Sequence, residues 1–118
     1  MEDRITVYFE KRIADCQAAM TALNADNRTD EAVFEKIRMN VFTIFQQVYA
    51  ASAQASGSDA KKRLDFLNKR LHDIPSAWET SLGAAQRHLD VQKAHIEQIK
   101  LAAATEILQQ VTEWSEET

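Results

Sequence analysis

Ile5, Phe9, Ile13, Cys16, Met20 and Leu23 recur at steps of four and three residues, so all six fall on one stripe of an α-helix. Glu2 and Asp3 stand in its first turn, where carboxylates oppose the helix dipole, and Asn24, Asp26, Asn27 and Thr29 form a polar turn after it. The spacing predicts a helix over 2–25. A second helix, over 30–55, carries Val33, Ile37, Val41, Ile44, Val48, Ala51 and Ala55 on its main stripe. Phe34, Phe42, Phe45 and Tyr49 make a second stripe about 100° round. Two apolar faces mark it as the central element, with Asn27 or Thr29 as its cap.

Ser56-Gly57-Ser58-Asp59 is the clearest break, with Gly57 suited to a helix C-terminus and Ser58 to the next cap. A short third helix over 59–73 follows, with Leu64, Leu67, Leu71 and Ile74 as its stripe. Ile74-Pro75 is expected to end it, because the residue before a proline disfavours the α region. Ser76-Ala77-Trp78-Glu79 matches a capping box and opens a last helix over 76–116, whose stripe Trp78, Leu82, Ala85, Leu89, Gln92, Ile96, Ile99 and Ala103 runs unbroken. At 1.5 Å per residue that helix would be about 60 Å long, against about 35–40 Å for the first two. The expected fold is all-α: an antiparallel up-and-down four-helix bundle, one domain over 1–118, with a short third and a long C-terminal helix.

Composition sharpens this. Two glycines and one proline in 118 residues, where average usage gives about fourteen, exclude a sandwich or barrel. A net charge of −4 disfavours a dedicated nucleic-acid binder. One cysteine cannot form an internal bridge, no run is long enough for a membrane span, and the charged start Met1-Glu2-Asp3-Arg4 is not a signal peptide. The expected setting is soluble and cytoplasmic.

Candidate chemistry is sparse. Leu101, Ala104, Leu108 and Val111 give the last helix a second apolar side, which points to a partner chain, a homodimer first, with packing by the third or first helix as the plain alternative. Arg38 lies among aromatic residues, where a guanidinium stacks on rings or grips a carboxylate, unless its head simply reaches water. His88 and His95 are two helical turns apart, about 10 Å, too far for one metal without help from another helix. Cys16 fits a core position. Arg87, Asp90, Lys93, Glu97 and Lys100 alternate in sign as a salt-bridge ladder on an exposed face. Lys61-Lys62-Arg63 and Lys69-Arg70 make a locally basic, solvated face. No catalytic, cofactor or metal signature emerges. The expected role is a non-enzymatic interaction protein, an adaptor, small chaperone or regulator, that self-associates or binds another protein rather than nucleic acid or membrane. A small-molecule- or metal-binding bundle is the alternative, and a small helical mutase a more distant one.

The turn Ile74-Pro75-Ser76-Ala77-Trp78, with Gln92–Leu101 after it, resembles small all-helical bacterial proteins of unknown function that carry an Ile-Pro-x-x-Trp turn before a long terminal helix. The likeness covers about the C-terminal third. It implies a bacterial cytoplasmic origin and transfers no activity and no site residue.

Overall fold

The computed structural model describes residues 3–57 and 59–117. They form four helices: α1 Arg4–Ala25, α2 Thr29–Ser56, α3 Ala60–Arg87 and α4 Val91–Glu116. Among the described residues there is no strand. Side-chain pairs fix the directions. Arg4 meets Glu117 and Arg12 meets Glu106, so α1 runs against α4. Tyr8 packs on Phe42 while Asp3 reaches Tyr49, so α1 runs against α2. Lys100 lies over Trp78 while Leu71 and Leu108 line one cleft, so α3 runs against α4. The chain is an up-and-down four-helix bundle.

α1 follows its apolar stripe, but α2 does not follow the one expected to lead: of that stripe only Val41 is buried, while Val33, Ala51 and Ala55 are exposed. Ile5, Phe9 and Cys16 are buried on α1. On α2 the aromatic stripe goes deepest: Phe42, Phe45 and Tyr49 are buried beside Val41, whereas Val33 is left exposed. The expected helix start at Glu2 and the expected cap at Ser58 lie outside the described residues. Asp3 caps α1, accepting from the Ile5 N–H at 2.9 Å, and Asp59 caps α3, accepting from Lys61 and Lys62. Neither Asn27 nor Thr29 caps α2. Asn27 instead takes the left-handed conformation, φ 59°, that closes the end of α1, with Arg28 N–H donating to the Leu23 carbonyl at 2.8 Å.

The boundary expected at Ile74-Pro75 does not exist. Pro75 is buried inside α3, and the third helix is 28 residues long rather than short. The Ser76 hydroxyl donates back to the Asp73 carbonyl at 2.7 Å instead of accepting from a new helix start, so the Ser76–Glu79 motif caps nothing. A proline in a helix interior costs about 3 kcal/mol. Continuing past it seats Leu82 and Trp78 against the bundle, each contributing on the order of 1–3 kcal/mol, with about 1 kcal/mol more from Ala85, so burial wins. The true break is His88-Leu89-Asp90. Asp90 N–H donates to the Ala85 carbonyl at 2.8 Å and Leu89 N–H to that of Gln86 at 3.2 Å, closing α3 in the same kind of turn that ends α1. Asp90 then caps α4 through the Lys93 N–H.

α4 is therefore a long helix of 26 residues that starts at Val91, not a 60 Å rod, and α3 runs beside it. Its second apolar side meets α3: Ala104 and Val111 are buried, Leu101 and Leu108 half-buried, with Leu71 and Pro75 opposite. The apolar surface read as a place for a partner chain is largely covered within the molecule. No helix among the described residues is long and apolar enough to cross a membrane.

Replacing Pro75 by alanine restores a donor to the Leu71 carbonyl and loses the ring's contact with α4. A net gain of about 1 kcal/mol in urea unfolding is expected, and a loss of that size would show that the ring's packing dominates.

Candidate functional site

Two polar clusters tie α1 to its neighbours, and both repeat one arrangement. In the first, Tyr8 donates its hydroxyl proton to Glu106 of α4, and Arg12 grips the same carboxylate through two nitrogens at 2.9 and 3.0 Å. The Arg12 guanidinium also lies 5.0 Å from the Phe42 ring centre and reaches Asp15 at 3.0 Å. In the second, Tyr49 donates to Asp3, and Arg63 stands 3.6 Å from the same carboxylate and 4.0 Å over the Tyr49 ring. Arg63 further donates to the Ser52 hydroxyl and the Tyr49 carbonyl, so it fastens the end of α2 to the start of α3. Trp114 closes the seam between α1 and α4, edge-on to Tyr8 at 5.6 Å with the Arg4 guanidinium 5.4 Å away.

These partners set the titration. Burial pulls the Glu106 carboxyl up, but its hydrogen bonds with Arg12 and Tyr8 outweigh that and hold it below the usual carboxylate value. Arg12 is held protonated still more firmly, first by Glu106. Burial, then the hydrogen bond to a carboxylate, pushes the Tyr49 phenol up to about 12 and the Tyr8 phenol higher still. Every charged group of the first cluster is engaged by another, which makes it a fastening rather than an open reactive centre.

The residues singled out from the sequence do not converge. Arg38 pairs with Glu35 one turn earlier on α2, and the stacking expected of it belongs to Arg12 of another helix. His88 is exposed at the end of α3, and His95, on α4, sets its ring edge-on to Phe34 at 4.7 Å. Among the described residues no group of three or more His, Cys, Asp and Glu is placed to hold a metal. Cys16 is buried, and burial, then Glu35, pushes its thiol up, away from the reactive thiolate. The expected ladder from Arg87 to Lys100 is interrupted by the turn at His88-Leu89-Asp90. Glu97, placed on that exposed ladder, is buried instead: one oxygen lies 3.2 Å from the Lys100 ammonium and the other has no partner. Arg63, taken as part of a solvated basic face, turns inward.

One feature was not signalled by periodicity. Leu89 has φ 57°, a left-handed backbone that a branched side chain resists, and is 85% exposed. Val91 follows at 80% exposure. With Ala85, Ala94 and His95 they border a cleft of about 450 Å³ at the tip of the α3–α4 hairpin. Leu89 keeps the four-and-three rhythm of the sequence yet packs on no core. A strained, exposed apolar side chain at a hairpin tip is the clearest departure in this structure from what folding alone requires.

Lowering pH removes what Glu106 contributes. A carboxyl held below its usual value stabilises the fold fully above about pH 4.5 and progressively less as pH falls through its folded value. Glu106→Gln, half open to solvent, is expected to lower stability by about 1 kcal/mol at pH 7, the gap to the parent closing as pH drops below 4.5. A gap independent of pH would remove Glu106 from this role. At the alkaline end, both tyrosines of the chain sit in these clusters. Phenolate absorbance is expected to be missing near pH 10, with Tyr49 ionising towards pH 12 and Tyr8 only above it, together with loss of helix signal; ordinary titration at 10 would contradict the geometry.

Comparison with protein-family models, with curated proteins and with solved structures returns no match, and no named family attaches to the chain.

Proposed function

We propose that the chain is a non-enzymatic interaction module, in the manner of an adaptor or regulator, and that its contact surface is the α3–α4 tip around Leu89 and Val91. The observation that carries this is Leu89 itself. A left-handed backbone costs a branched residue about 1–2 kcal/mol, and solvent exposure of its side chain returns none of it. Glycine or asparagine would close the same turn with less strain, as Asn27 does at the end of α1. A side chain held there at a loss to folding is accounted for by what it meets outside the chain. The non-enzymatic part of the proposal is supported by the mutual saturation of Tyr8, Arg12 and Glu106 and by the dispersal of Arg38, His88 and His95.

Leu89→Gly separates folding from contact. It is expected to raise stability by about 0.5–1 kcal/mol in chemical denaturation, because strain leaves and no packing is lost. A photoreactive residue at Val91 is expected to label a protein surface in cells, with labelling lost on Leu89→Gly and none from the same probe at Gln47 on the exposed flank of α2. Destabilisation by Leu89→Gly, or equal labelling from both positions, would overturn the proposal.

A further inference from the structure

The tip does not stand alone at its end of the bundle. Up-and-down topology brings the α1–α2 turn to the same end, and the Phe34–His95 contact, 4.7 Å between ring centres, pins the second turn of α2 to the second turn of α4. The two turns carry opposite charge. Asp26, Asp30 and Glu31 outnumber Arg28 on the α1–α2 side, and Arg28 is already engaged by Glu31 and, at 4.0 Å, by Asp26. On the α3–α4 side Arg87 and Lys93 outnumber Asp90, whose carboxylate is turned onto the Lys93 N–H. Arg87 and Lys93 make no ion pair among the described residues. The same end carries exposed apolar side chains on both sides, Leu89 and Val91 at the basic turn and Val33 on α2 just after the acidic one.

Such an end is complementary to itself. Turned through a two-fold axis, the acidic turn of one copy faces the basic turn of the other twice over, with the apolar side chains near the axis. The molecule measures 43 × 36 × 24 Å, so most of an end of the bundle would have to be engaged to approach the ~800 Å² per partner of a standard interface, and a contact centred on these turns falls at the small, weak end of the range. We infer that the Leu89 end is an isologous contact between two copies of this chain, in which the Asp26–Asp30–Glu31 turn of one meets the Arg87–Lys93 turn of the other around Leu89 and Val91. This rests on the docking role proposed above and names its occupant. With few apolar anchors and exposed charges, the dimer should be of micromolar strength and weakened by salt.

Charge reversal tests it through sedimentation of the whole chain from about 5 to about 200 µM. The parent is expected to dimerise with rising concentration and to do so less in about 0.5 M salt. Asp26→Lys with Asp30→Lys places like charges opposite each other, as does Arg87→Glu with Lys93→Glu, so each double variant is expected to stay monomeric while keeping its helix signal. An equimolar mixture of the two restores opposite charges at both contacts, and dimer is expected to return. A parent that stays monomeric at 200 µM, a dimer indifferent to both variants, or a mixture that stays monomeric overturns the inference. The photoreactive probe at Val91 then separates the two proposals: labelling of a foreign protein by a monomeric chain overturns self-contact and leaves the docking surface, whereas labelling of nothing removes both.

Discussion

Phe42, Phe45 and Tyr49 form the row against which α1 and α3 are placed. Two of the three have no exposed surface at all, and each is touched from a different direction. Tyr8 and the Arg12 guanidinium reach Phe42 from α1, Trp78 meets Phe45 edge-on from α3, and Arg63 lies over Tyr49 from the start of α3. Apolar burial of this kind has no direction of its own, since it rewards any close packing. The rings add direction, because edge contacts and cations over a face hold only within narrow geometries. Core and register are thus specified by the same three side chains.

The polar clusters extend that specification outwards. α1 meets α4 mostly through long side chains, and a seam of this kind would be loose if its groups were solvated. Glu106 prevents that by accepting from Tyr8 and Arg12 together, so one carboxylate on α4 sets the height of two positions on α1. Asp3 does the same at the start of α1, serving as the helix cap while receiving Tyr49 and facing Arg63. Removing one member leaves the others half-buried and unpaired, which is why such groups are costly singly and useful together.

The helical class, the number of helices and the extents of α1 and α2 were legible because their apolar stripes and polar turn agree with one another. The second half misled for two physical reasons. Pro75 is a strong local breaker, but its penalty is fixed while the burial gained by Trp78, Leu82 and Ala85 is set by α2 and α4, which no local rule can see. Leu89 failed in the opposite sense: it satisfies helical periodicity, so the real turn was hidden beneath an unbroken pattern. Asp90, a good cap residue, was the available signal. Of the candidate site, Arg38, His88 and His95 were found as residues but not as a constellation, and the tyrosine–carboxylate bonds at the centre of the clusters that do form join residues 46 and 98 positions apart, pairings that spacing along one helix cannot reveal.

The turn at Leu89 also bears on how this protein can change. Its backbone is held by hydrogen bonds from main-chain groups alone, and its side chain reaches no part of the core. The fold therefore places almost no demand on what stands there beyond tolerance of a left-handed backbone. Core positions such as Phe45 must change in concert with their neighbours, whereas this one is free to vary alone. Sequence drift at a single codon would alter what the molecule shows to its surroundings while leaving what holds it together untouched.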